Sequence, residues 1–113
     1  MAYQKIVTKA NLDLFKKYPF GSQEKTADPL IIVKFFCPWN QWTWYATEAE
    51  TQEDGDIMFF GLVRGHEVEL GYFMLSELES VKHRSGLKIE REMHSVGMLM
   101  SQARAECGSQ FKF

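Results

Sequence analysis

The run LIIVKFFCPWNQWTWYATE, residues 30–48, decides the fold. Its first eight residues are apolar except for Lys34, the pattern of an interior strand covered on both faces. Pro38 fits the second position of a turn over 37–40. From Trp42 onward the residues alternate, with Trp42, Trp44 and Ala46 against Thr43, Tyr45 and Thr47. That is the period of a strand with one core face and one partly wet face. Ten of the sixteen aromatic residues lie between Phe35 and Phe73, so the core is assembled there.

On the C-terminal side, 48–56 (EAETQEDGD) holds five of the fifteen acidic residues and reads as a solvated hairpin loop. Residues 57–63 form a third strand, apolar on both faces. Gly65-His66 fits a type II′ turn, with glycine where a positive φ is needed and Arg64 facing Glu67. A fourth strand, 68–73, follows. Ser76 to Glu79 has the spacing of a capping box, which predicts a short helix over 76–82 that Ser85-Gly86 ends. Residues 87–92 read as a short extended segment with Leu87, Ile89 and Arg91 on one side. A last helix over 96–107 sets Val96, Leu99, Met100, Ala103 and Cys107 on one face, with Gly108 as its C-terminal cap. On the N-terminal side, Thr8 caps a helix running to Tyr18 that presents Ala10, Leu14, Phe15 and Tyr18 to the core, and Pro19 stops it. Residues 20–28 form a polar loop. The predicted architecture is α+β: a four-stranded antiparallel meander within 29–73, with N-terminal, middle and C-terminal helices packed on it, in a single domain over 1–113.

A chain of 113 residues buries roughly two-thirds of its unfolded surface, enough for its own core. With 45% apolar and 25% charged residues, it lies far from disordered composition. It has neither an apolar run of about 20 residues nor a signal-like N-terminus, so a soluble cytoplasmic protein is expected and no membrane partner. Cys37 and Cys107 share no metal or redox spacing and read as buried, reduced thiols. The net charge of −2 is unevenly spread: residues 1–34 and 80–113 each carry +3, whereas 35–79 set Arg64 against nine acids. An acidic centre argues against direct nucleic-acid binding by the sheet.

Candidate chemistry is sparse. His66, Glu67 and Glu69, or Glu90 with His94 on one helical face, offer too few histidines or cysteines for a zinc site, so no metal and no cofactor is expected. An apolar setting raises the thiol pKa of Cys37, which argues against a nucleophile. His66, Glu90 and Arg91 form the remaining polar set, and an enzyme would need a cleft gathering them with Tyr45. Trp39, Trp42, Trp44 and Tyr45 exceed what one strand face can bury. Exposed rings among them, beside acidic groups, would suit a protein partner.

Four phrases, WTWY at 42–45, FFGLVRG at 59–65, ELGYFMLSELES at 69–80 and GLKIERE at 86–92, stand in an order and at separations that resemble the DUF2958 family, a bacterial domain without an assigned function. The likeness runs over 6–107. The resemblance implies carriage on plasmids, integrative elements and phages, near replication or anti-restriction genes, and it supplies no catalytic residues. Two departures are visible. Trp39-Asn40-Gln41 lacks the glycine often found in that turn, and Met93-His94-Ser95 replaces the usual apolar or aromatic continuation.

Together these readings predict a non-enzymatic interaction protein of mobile-element origin that inhibits a host defence nuclease, of the anti-restriction or anti-CRISPR kind. Its predicted partner-binding surface comprises Glu48, Glu50, Glu53, Asp54, Asp56, Glu67 and Glu69, with Trp39, Trp44 and Tyr45 supplying apolar contact. The alternative is a DNA-binding accessory of replication or transfer using Lys9, Lys16, Lys17, Lys82, Arg84 and Lys88. An uncovered aromatic face also leaves a homodimer open.

Overall fold

The strand that carries the sheet is β2, Thr43–Thr51, where threonine, tryptophan and tyrosine supply side chains suited to a pleated, packed surface. The structure, a computed structural model, describes residues 6–93 and 97–108. β2 pairs antiparallel with β1 (Val33–Phe36) and with β3 (Ile57–Arg64). β4 (Val68–Met74) and β5 (Glu90–Arg91) complete an antiparallel sheet of order β4-β3-β2-β1-β5. Helices α1 (Lys9–Lys17), α2 (Leu75–Ser80) and α3 (Met100–Cys107) flank it. The α+β meander is therefore present, extended by a fifth strand. β5 pairs Arg91 with Phe35 and Glu90 with Phe36, and it makes β1 the interior strand that its apolar run predicts. Of the extended segment's residues, Ile89 is buried but Leu87 is exposed.

The alternation along β2 does not persist. A bulge between Ala46 and Glu48 shifts the register against β3, from Ala46↔Gly61 to Glu48↔Phe60 and Ala49↔Phe59. Two residues then oppose one, and every later side chain changes face. Trp44, Ala46 and Ala49 thus share the face packed under α1 and α2, whereas unbroken alternation would have driven Glu48 and Glu50 into that core. Gly61 accommodates the distortion: a Cβ there would lie 1.9 Å from the Tyr45 carbonyl oxygen. Both faces of the first part of β2 are buried, which corrects the expectation of a partly wet face.

On the α1/α2 face the core centres on Phe59, which is 0% exposed. Its ring meets Phe15 of α1 at 5.3 Å, Phe35 at 5.6 Å and Phe73 at 5.2 Å between centroids, within the range of favourable aromatic pairs. Leu75 and Leu78 of α2 join the same cluster. On the α3 face, Met100, Ala103 and Cys107 pack against Ile31, Tyr45, Leu62 and Val68. Leu70 and Tyr72 on the same face of β4 are left exposed.

The ends of the elements differ from the sequence reading in specific ways. Thr8 caps α1 as expected, in a reciprocal pair with Asn11. α3 starts at Met100 because the backbone before it is already in use: Ile31 N–H donates to the Met98 carbonyl and Leu30 bridges Leu99. Val96, read as part of this helix, lies outside the described residues. α2 begins at Leu75, where the Glu77 carboxylate accepts the Met74 N–H; Ser76 binds Asp56 instead of serving as the cap. Gly65 is not among the glycines with positive φ. The β3–β4 loop has three residues, Arg64 pairs with Val68 rather than facing Glu67, and Gly65 N–H donates to the Glu67 carbonyl. Glycine is needed at 65 because the Trp42 ring would stand 2.3 Å from a Cβ.

Candidate functional site

The structure distributes the predicted acidic surface over three places. Glu50, Glu53 and Asp54 lie exposed at the β2–β3 hairpin. Gln52 N–H donates to the Asp56 carbonyl, Gly55 N–H to the Gln52 carbonyl, and Asp56 N–H to Asp54 Oδ1, so the tip is a tied turn. Gly55 supplies its positive φ of 88°. Asp56 is turned inward: its carboxylate accepts from Ile57 N–H, Ser76 N–H and the Ser76 hydroxyl, locking the hairpin to the start of α2. Burial pushes its pKa up, but these hydrogen bonds prevail and hold it below the ordinary carboxylate value.

Glu48 does not belong to the surface. It is 6% exposed, and its two carboxylate oxygens accept from Gly21 N–H and Gln23 N–H, each at 2.9 Å. Gln23 is buried beside it and completes the clasp: Nε2 donates to the carbonyls of Leu30 and Thr47, while Oε1 accepts the Leu30 N–H. The polar loop 20–28 is thus fastened to β2 by a buried carboxylate, satisfied as such groups must be. Only the bulge makes this geometry available, because it turns Glu48 away from the aromatic core.

Glu67 and Glu69 are exposed at the other end of the sheet. The eight residues of β3, at roughly 3.4 Å each, separate them from the hairpin tip by about 27 Å. One copy therefore presents two separate acidic ends rather than one acidic surface.

The aromatic residues are also sorted. Trp44 and Tyr45 are buried in opposite cores, which removes them from the predicted contact surface. Trp39 is half-buried against His83, with ring centroids 5.2 Å apart. Trp42 is half-buried between Trp44 and His66. Tyr45 donates its hydroxyl to Glu106 Oε1 at 2.8 Å, and Lys34 Nζ donates to the same oxygen at 2.8 Å. Burial and then the adjoining Glu106 carboxylate push the Tyr45 pKa far above the ordinary phenol value. Glu106 moves down, because the hydrogen bonds from Lys34 and Tyr45 outweigh its burial. Burial raises the Cys107 thiol, which keeps it protonated.

The set His66, Glu90, Arg91 and Tyr45 is not gathered. His66 sits on the β3–β4 loop against Trp42, whereas Glu90 and Arg91 lie on β5, with β1 and β2 between β5 and β3. Arg91 Nη1 donates to the Ile6 carbonyl at 2.7 Å, and Tyr45 is enclosed under α3. His94 lies outside the described residues. Among the described residues, no three His, Cys, Asp or Glu side chains are grouped so as to hold a metal ion, and no helix is long and apolar enough to cross a membrane.

The sequence reading placed the outer strand, at 68–73, but missed its exposed apolar face. Leu70 and Tyr72 are 50% and 65% exposed on the α3 face of β4. Tyr72 packs its ring on Phe60 at 4.9 Å and on Phe20 at 5.5 Å, forming one wall of a cleft of about 560 Å³ that Arg104 also borders. The signal was present in VELGYFM, whose even-numbered positions are all apolar. A larger groove of about 990 Å³ runs between α2 and residues 86–93, lined by Ser76, Leu78, Lys88, Ile89 and Arg91 among others.

No curated protein and no solved structure matches the chain. A family model described as "Protein of unknown function (DUF2958)" matches residues 6–105 of the 113, and the chain belongs to that family.

Proposed function

We propose that the chain is a non-enzymatic protein-interaction module of mobile-element origin, and that its β2–β3 hairpin inhibits a host defence nuclease by entering the basic channel that receives nucleic acid. The observation that carries this reading is the tied acidic tip. Glu53 and Asp54 are displayed on a turn closed by its own hydrogen bonds and anchored to α2 through Asp56, with Glu50 exposed beside it near the end of β2. A preorganised turn loses little entropy on docking, and closely spaced carboxylates compete with phosphates for lysine and arginine. The other polar constellations, Glu48–Gln23 and Tyr45–Glu106–Lys34, are occupied in holding the fold together.

The test is plasmid survival in a bacterial strain with active restriction and CRISPR interference, challenged with a plasmid bearing the corresponding target sites. Expression of the chain should raise transformation by about tenfold or more, equivalent to at least ~1.4 kcal/mol at the inhibited step. Glu53→Lys/Asp54→Lys should abolish the gain. Unchanged transformation, or equal protection by the variant, overturns the proposal. A mobility-shift measurement on duplex DNA accompanies it. Binding that weakens steeply between about 50 and 200 mM salt would favour instead a DNA-binding accessory using Lys9, Lys16, Lys17, Lys82, Arg84 and Lys88.

A further inference from the structure

Among the described residues, β4 is an outer strand of the sheet, paired with β3 alone. The loop before it fixes its phase. Because Gly65 N–H donates to the Glu67 carbonyl, the hydrogen-bonded pairs of the β3–β4 ladder are Val63↔Glu69, Gly61↔Gly71 and Phe59↔Phe73. The backbone groups of Leu70 and Tyr72 consequently point away from β3, toward the open side. Met74 obeys the same phase, since its N–H turns outward to Glu77.

The side chains at Val68, Leu70, Tyr72 and Met74 share the α3 face, and none is charged. A solvent-facing outer strand ordinarily carries lysine, proline or an inward charge to discourage pairing. Here the two central residues are the exposed Leu70 and Tyr72. Between them stands Gly71, where an added Cβ would meet nothing within 4 Å. Packing within one copy therefore does not require glycine at this position, although glycine in a strand interior costs stability.

We infer that β4 pairs antiparallel with β4 of a second copy about a two-fold axis through Gly71. In this register Leu70 lies opposite the partner's Tyr72 and Tyr72 opposite the partner's Leu70. Both pairs are of the hydrogen-bonded kind, because all four residues direct their backbone groups outward. Val68 lies opposite the partner's Met74, and the two glycines meet at the axis, in a non-hydrogen-bonded site where Cα atoms approach to about 4.5 Å. Glu69 faces the partner's Phe73, so no carboxylate opposes another across the join. The occupant is a second copy rather than an unrelated strand because the α3-face positions of VELGYFM, Val68 and Leu70 on one side and Tyr72 and Met74 on the other, are apolar and symmetric about Gly71, so that self-pairing sets apolar against apolar along that whole face. The result is one continuous antiparallel sheet of two copies, with an interface of the isologous kind.

Sedimentation velocity of the full chain, from micromolar to near-millimolar concentration, should show a species of twice the 13.2 kDa chain mass. Two double variants at the exposed positions test the register. Leu70→Lys/Tyr72→Lys sets lysine against lysine in both central pairs and should be monomeric. Leu70→Lys/Tyr72→Glu sets lysine against glutamate in both and should restore the dimer, an effect that is lost in high salt. Far-UV circular dichroism, unchanged in both, keeps the comparison to folded protein. A parent chain that stays at 13.2 kDa overturns the inference; so does a lysine–lysine variant that still dimerises. A lysine–glutamate variant that stays monomeric, beside a dimeric parent, overturns the Gly71-centred register.

Discussion

Gly61 and Gly71 face each other across β3 and β4, yet their surroundings give them opposite consequences. A Cβ at 61 would fall 1.9 Å from the Tyr45 carbonyl oxygen and 2.7 Å from Ala46 Cα. Both are backbone atoms of the bulged strand and cannot rotate aside. Gly61→Ala must therefore push β2 and β3 apart at the bulge, with a cost of about 3 kcal/mol, at the upper end for overpacked sites. Gly71→Ala meets open space and should change the stability of the single chain by no more than about 0.5–1 kcal/mol, with the sign of a gain, since alanine loses less backbone freedom on folding. Urea denaturation of both variants in dilute solution checks this. Equal midpoints would mean that the bulge tolerates a side chain and that the close approach at Gly61 does not constrain the strand.

At the scale of elements, the hairpin and α2 are joined by one carboxylate. Asp56 accepts two hydrogen bonds from Ser76, at the first turn of α2, where partial positive charge favours an anion. Asp56→Ala should cost about 1–2 kcal/mol near neutral pH, the worth of two charge-assisted hydrogen bonds in a partly solvated setting. The folded-state pKa of Asp56 is depressed below its ordinary 3.8. Its contribution is therefore present above that value and is lost as pH falls through the folded-state value. The difference between parent and variant, measured by urea denaturation across acid pH, should shrink toward zero; a constant difference would leave the Asp56 charge no part in the anchor. This anchor was hidden in the sequence, because Asp56 and Ser76 are twenty positions apart. A capping box at Ser76 was the nearer reading. Strand and helix types along most of the chain were legible because their apolar periods are local. The bulge at Thr47, the two-residue β5 and the late start of α3 were not, since each is set by backbone pairing with a distant segment. The candidate site was misread for the same reason. Alternation carried past Ala46 does not reveal that Glu48 turns inward to Gly21 and Gln23, and a list of acids does not reveal that β3 holds them at two ends.

For the whole molecule, both cores depend on polar groups that hold outlying segments to the sheet: Glu48 and Gln23 the 20–28 loop, Asp56 the start of α2, and Glu106 the last turn of α3. The two-fold pairing inferred for β4 would also change the charge distribution. Antiparallel strands would bring the hairpin tip of one copy to the same end of the joined sheet as the partner's Glu67, so that two separate acidic ends become two combined ones. The Glu106 anchor carries a pH signature of its own. Tyr45 has a pKa raised above its ordinary 10.0 because the ionised phenolate would be buried and would face the Glu106 carboxylate. A raised folded-state value means that the stabilisation is complete below pH 10.0 and is lost as pH climbs from there toward the folded-state value. Glu106, with its depressed value, sets the acid limit in the opposite sense: its stabilisation is present above the ordinary 4.5 and is lost as pH falls through the folded-state value. Urea midpoints should accordingly be level from pH 4.5 to the ordinary 9.0 of Cys107, whose own raised value opens the alkaline fall before Tyr45 joins it, and drop on both sides. Tyr45→Phe keeps the ring and removes the hydroxyl, leaving Lys34 on Glu106; it should cost about 1 kcal/mol at neutral pH and flatten the alkaline fall. An alkaline fall of the same steepness in Tyr45→Phe would place the sensitive group elsewhere and remove the Tyr45–Glu106 contact from the account of how α3 is held.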